Sequence, residues 1–256
     1  NRDFVKFASP EVRALVRLMN VWNPAVFIDM HTTNGSYHRY LITYDGPRHP
    51  AGDPRIVRFT RSQLLADVNK RLLKNDDIHS FFYGNFSRDR KRREMYPGLP
   101  RFGIVHAGLR NRIGILSEAY SYATFEDRIK ATYYFVNEIL DYAYAHATEL
   151  RRIVEQADRQ SVVGQQLAAR SELDRTGKPV TILLGEVTRE ANPYSGDTIW
   201  RRADVKKPTP MQEYGTFRGT DMVTAPRAYF IPPVWVPRIA GTLQNHGVRA
   251  RALTRD

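Results

Sequence analysis

The chain has 256 residues, 42% hydrophobic and 26% charged, with a formal charge of +12 at pH 7; this is ordinary globular usage, with material for one good-sized core and a smaller appendage. It contains no cysteine, which excludes disulfides, thiolate metal sites and a cysteine nucleophile, so a metal site would have to use His, Asp and Glu. No apolar stretch approaches the length of a bilayer span, and Asn1-Arg2-Asp3-Phe4 has no signal-peptide pattern; the compartment is left open.

In chain order, Ser9-Pro10-Glu11 reads as a helix start, with Ser as N-cap and Pro at the first helical position. The spacing Val12, Leu15, Val16, Met19 predicts an amphipathic helix that Asn23-Pro24 ends. The apolar run Val26-Phe27-Ile28-Asp29-Met30-His31, broken by Thr32-Thr33-Asn34-Gly35, predicts a buried strand with a histidine at its carboxyl end. Tyr37 to Tyr44 resembles a second strand, Asp45-Gly46-Pro47 a turn, and residues 61–74 another amphipathic helix. Arg88-Asp89-Arg90-Lys91-Arg92-Arg93 follows the aromatic Phe81-Phe82-Tyr83, a juxtaposition able to stack bases and grip phosphates. Elsewhere the arginines are interleaved with acids, so a basic surface loop is the preferred reading over a nucleic-acid site.

Arg112-Ile113-Gly114-Ile115-Leu116-Ser117-Glu118 predicts one more buried strand, ending in an acid, and a long helical pattern begins near Phe125. The fold class expected is α/β, with a mixed, largely parallel sheet covered by helices and a small C-terminal module rich in short strands. Residues 1–150 form the expected main domain, 151–176 a helical linker, and 177–256 an appended α+β module, whose stretch from Arg227 to Ala250 reads as strand, helix, strand.

His31 and Glu118 both end apolar strands, and in open α/β sheets ligands bind at that edge. A histidine and a carboxylate converging there can hold a metal and activate its bound water, since Zn²⁺ lowers the pKa of that water to about 7 and a nearby carboxylate takes the proton. Asp29, two residues before His31, falls on the same side of the strand and is placed to orient its ring. Asn1-Arg2 offers an amide and a guanidinium fork suited to a carboxylate.

These elements together resemble the zinc carboxypeptidases, the carboxypeptidase A-like metallopeptidases. The resemblance rests on Asn1-Arg2, Ser9-Pro10-Glu11-Val12, Asp29-Met30-His31 and Leu116-Ser117-Glu118 followed by a helix, and it covers residues 1 to about 150. It implies Glu118 as catalytic base, His31 as a Zn²⁺ ligand, and Asn1 and Arg2 as the grip on a substrate's free carboxylate. Tyr96 stands where the family carries a substrate-contacting tyrosine, with an ordinary loop tyrosine as the alternative, and Arg110 and Arg112 are candidates to add charge to the pocket. The family's other two zinc ligands come from a His-x-x-Glu motif before the Asn-Arg pair. The sole His-x-x-Glu of this sequence, His146-Ala147-Thr148-Glu149, lies on the helix after Glu118 and reads as a surface coincidence. The remaining ligands are therefore expected upstream of residue 1, with this chain the C-terminal part of a longer enzyme.

The function expected is a zinc-dependent metallocarboxypeptidase acting on peptides with a free C-terminal carboxylate. The alternatives are an N-acyl amino acid deacylase of the same fold, or a catalytically inert or anion-binding module. No membrane span is expected.

Overall fold

The computed structural model describes residues 2–33 and 35–253. The elements follow as helix α1 (Pro10–Trp22), strands β1 (Val26–Thr32) and β2 (Ile42–Asp45), helices α2 (Pro54–Arg58) and α3 (Leu65–Asp76), and short strands β3 (Ser80–Phe82), β4 (Asn85–Phe86) and β5 (Arg92–Glu94). Helix α4 (Gly103–Leu109), strand β6 (Ile113–Ala119) and helices α5 (Phe125–Ala145) and α6 (Ala147–Arg159) come next. The C-terminal part holds β7 (Gln166–Asp174), β8 (Lys178–Leu184), β9 (Val187–Ala191), β10 (Thr198–Arg202), β11 (Lys207–Tyr214), β12 (Thr216–Thr224) and helix α7 (Val236–Asn245).

Local chemistry accounts for the helix ends. Ser9 Oγ accepts from the Val12 N–H at 3.2 Å, and Asn23, left-handed at φ 47°, closes α1 by donating its N–H to the Met19 carbonyl. Thr124 caps α5 by accepting from the Asp127 N–H, with Glu126 and Asp127 favourably placed in the first turn. The helix predicted over 61–74 is longer: α2, a π-helical turn at Phe59–Leu64 and α3 run on from Pro54 to Asp76. Within it the Thr60 hydroxyl donates to the Ile56 carbonyl, a local competitor of regular helical bonding.

The chain is mixed α/β. Its central sheet has the order β1-β6-β2-β3, with β1 parallel to β6, β6 antiparallel to β2, and β2 parallel to β3. One face carries the main core, in which Ile42, Tyr44, Ile113 and Ile115 meet Phe59, Leu65, Val68 and Leu72 of the Pro54–Asp76 helical run and Ala131, Phe135 and Ile139 of α5. The other face is covered near β1 and β6 by α4, whose approach depends on Gly114: a Cβ there would stand 2.6 Å from the Ile104 carbonyl oxygen. Near β2 and β3 it is covered by a second sheet, β4-β5-β11-β8, through Tyr40, Phe81, Ile182, Leu184 and Met211.

Several expectations change. Residues 151–176 are helical only to Arg159, and Gln166–Asp174 is a strand paired with β12, because its partner lies fifty residues further on and local composition does not disclose it. Residues 227–250 contain helix α7 but neither flanking strand; the segment is held instead by Asn20 donating to the Asn245 carbonyl. The strand expected from Tyr37 begins at Ile42, with His38 contributing one isolated bridge to Leu184. The C-terminal segment also pairs with the first 150 residues, as β11 lies parallel to β5.

Candidate active site

Side chains alternate along β1, so Asp29 and His31 share one face while Met30 and Thr32 share the other. The parallel register sets His31 beside Glu118 and Asp29 beside Leu116, which brings the predicted histidine and glutamate to the same strand ends. Asp29 Oδ1 lies 2.7 Å from His31 Nε2, fixing the ring as the spacing of the two residues foretold. This bond is the main reason that the His31 pKa is raised above 6.5, with burial opposing it and Glu118 adding a smaller attraction.

Glu118 is 8% exposed, and its Oε2 has no hydrogen-bond partner among the described residues. Burial pushes its carboxyl pKa up to about 7, against the pull of His31 and with a further push from Asp29. It faces a cavity of about 240 Å³ whose polar walls are Arg2, Asp29, Tyr83, Tyr96 and Arg101. Tyr96 packs edge-on against Phe102 at 5.2 Å and against Tyr83 at 5.7 Å, and burial raises both phenols above their ordinary range. The guanidinium carbons of Arg2 and Arg101 lie 5.8 and 5.4 Å from the centre of the Phe102 ring. Gly103 closes the wall because a Cβ there would fall 2.8 Å from Asp29 Oδ2.

A groove of about 500 Å³ lies at the end of β1 on its other side, walled by Met30, His31 and Thr32 and by Phe125, Ile129 and Tyr133 of α5. No carboxylate lines it, so its volume exceeds that of the Glu118 cavity without matching its chemistry.

The structure thus assembles Arg2, Asp29, Tyr96 and Glu118 around one cavity, with His31 beside it, bonded to Asp29, in register with Glu118 and lining the neighbouring groove. Asn1 lies outside the described residues. Arg110 is not brought there: it donates to the His246 carbonyl and to Asn20 Oδ1, tying α4 to the C-terminal helix and α1. Arg112 is likewise spent on Asn23 and Asp158. His146 stacks on Tyr142 at 4.0 Å, at the α5–α6 junction. Tyr83, Arg101 and Phe102 also line the cavity; the aromatic run 81–83 is their one signal in the sequence, and its neighbourhood to the basic loop masks it.

That loop is explained differently from a base-stacking site. Arg93 is buried, donates to Glu213 Oε1 at 2.7 Å and lies over Phe81, while Arg48 and Arg61 lie over Phe82. The two rings are therefore occupied by the protein's own guanidinium groups, and Arg88, Arg90, Lys91 and Arg92 remain as an exposed basic surface.

The described residues do not by themselves fit a resident metal. His31 is the single imidazole at this edge, the neighbouring Asp29 is bonded to it, and no group of three His, Asp or Glu among the described residues is arranged to hold an ion. No helix among them is long and apolar enough to cross a membrane. Comparison with protein-family models, with curated proteins and with solved structures finds no match in any of the three.

Proposed function

We propose that the chain carries the proton-transfer and carboxylate-gripping part of a hydrolase of the zinc-carboxypeptidase kind, acting on a substrate with a free carboxylate. The observation that carries this reading is Glu118, a buried carboxyl with an unpartnered oxygen, poised near neutral pH at the wall of a cavity that also holds Arg2. A general base works best when its pKa lies near the operating pH. Glu118 takes a proton from the attacking water and returns it to the leaving amine, so the carboxylate is regenerated in each cycle. Arg2 binds the substrate carboxylate by charge-assisted hydrogen bonds, and the Tyr96 phenol, kept protonated, donates to the bound substrate. Zn²⁺ enters this reading through the sequence resemblance alone; the described residues offer only His31 toward it, and the roles given above belong to the chain's own side chains.

Assay of the protein with Zn²⁺ supplied, against C-terminally free peptides and N-acyl amino acids, tests the reading and separates peptidase from deacylase. Hydrolysis that disappears in Glu118→Gln supports it. Full activity in that variant removes Glu118 from the chemistry.

A further inference from the structure

Two cations share the wall of the Glu118 cavity, and a single carboxylate at the substrate terminus uses only one of them. Arg2 and Arg101 both lie over the Phe102 ring, and neither is ion-paired within the described residues. The segments that carry them are joined where the Arg101 carbonyl accepts from the Phe4 N–H at 3.2 Å, and the Arg101 loop is closed by the Phe102 N–H donating to the Leu99 carbonyl at 3.1 Å. Pro97 and Pro100 further stiffen the loop that presents Arg101. Of the two acids on the cavity wall, Asp29 is committed to His31, which leaves the single carboxyl of Glu118 facing two guanidinium groups. The cavity is therefore cationic in balance, and at about 240 Å³ it is of a size for one amino-acid residue rather than a longer segment.

We infer that Arg101 sets specificity: the cavity selects a terminal residue with a second carboxylate, aspartate or glutamate, with Arg2 on the main-chain carboxylate and Arg101 on the side-chain one. This rests on the carboxylate-gripping role given to Arg2 above and adds the substrate class. Glutamine is the fitting competitor, since it matches glutamate in shape and lacks the charge.

The test compares N-benzoylglycyl-L-glutamate with N-benzoylglycyl-L-glutamine by titration calorimetry at low salt, in the Glu118→Gln protein so that turnover does not intervene. The glutamate peptide should bind about tenfold more tightly, as one partly solvated charge-assisted hydrogen bond provides. Adding Arg101→Gln should bring that ratio to about one, Arg101→Lys should keep part of it, and raising the salt should shrink it because both guanidinium groups are exposed. A ratio near one with Arg101 in place, or a preference that survives Arg101→Gln, overturns the proposal. Failure of either peptide to bind at millimolar concentration overturns it together with the role of Arg2. The catalytic reading fails separately: an inactive protein that still prefers the glutamate peptide keeps this inference and loses that one.

Discussion

Asp45 and Glu118 are buried carboxylates on neighbouring strands of the same sheet face, and their surroundings give them different work. In the β2–β6 register Thr43 stands opposite Glu118 and Asp45 opposite Leu116, two residues along. Asp45 is fully buried, and its Oδ1 gathers the Gly46 N–H and the guanidinium groups of Arg48 and Arg61. Arg48 in turn reaches the Gly215 carbonyl, and the nearby Arg93 binds Glu213, so the charges at this end fasten the C-terminal sheet to the central one. Glu118 is nearly as buried but has only His31 to favour its charge. A carboxylate gripped by guanidinium groups serves as structure, whereas a buried one that lacks such partners and faces a cavity keeps a proton that can move.

The largest effect expected is catalytic. If Glu118 is the base, Glu118→Gln should lower turnover by about 10²–10⁴-fold with substrate binding retained, measured by steady-state kinetics and calorimetry on the same peptide. Wild-type activity should rise with pH through about 7 as Glu118 ionises. The corresponding change at Asp45 should act on stability. Asp45→Asn leaves Arg48 and Arg61 packed together without their anion, and removing one partner of a buried ion cluster costs about 3–5 kcal/mol. Urea denaturation would show this; a loss below about 1 kcal/mol would mean that the cluster is solvated and that the contrast with Glu118 is false.

The elements that form by local chemistry were legible in the sequence. Ser9-Pro10 and Asn23 mark the ends of α1, and the apolar runs at Val26 and Ile113 mark the two strands that carry Asp29, His31 and Glu118. Their adjacency was an inference from strand ends that the parallel register bears out. Helix α4 was not legible, since Gly103 and Gly108 are poor helix formers and the segment is helical because it packs on β1 and β6. The cavity wall at Tyr83, Arg101 and Phe102 was equally hidden, because loops reach the site by tertiary contacts that carry no periodicity. The pairing of β5 with β11 joins residues about 120 apart, and no local pattern announces it.

A smaller effect is the pH dependence that Glu118 gives to stability. The Glu118 pKa is raised from 4.5 to about 7 in the fold, so between these values the folded chain binds the proton that the unfolded chain releases. Its contribution to stability is fully present below about pH 4.5, falls as the pH rises, and above about 7 becomes a constant cost of about 3 kcal/mol. Glu118→Gln removes that cost, so at pH 8 the inactive variant should be the more stable protein by about 3 kcal/mol, with the advantage vanishing near pH 4. His31, whose pKa is also raised, loses stabilisation as the pH climbs above 6.5, and this slope should remain in the variant. Thermal denaturation curves at pH 4, 6 and 8 give the comparison. Equal stability of the two proteins at pH 8 would place Glu118 in a solvated environment.

The smallest change falls on Thr43, which lies between the two acids. Its side chain shares the face of Asp45 and, by register, of Glu118; it is 4% exposed, and its hydroxyl has no hydrogen-bond partner within the described residues. If that hydroxyl serves neither carboxylate, Thr43→Val, which keeps the shape and the strand preference, should stabilise the protein by about 0.5–1 kcal/mol. The pH at which activity is half-maximal should stay where it is. A hydroxyl that does donate to Glu118 favours the ionised form, so its removal would raise that midpoint and lower stability at pH 8. The direction of these two shifts decides whether burial alone holds the proton on Glu118 or whether the strand beside it already offers the carboxylate a partner.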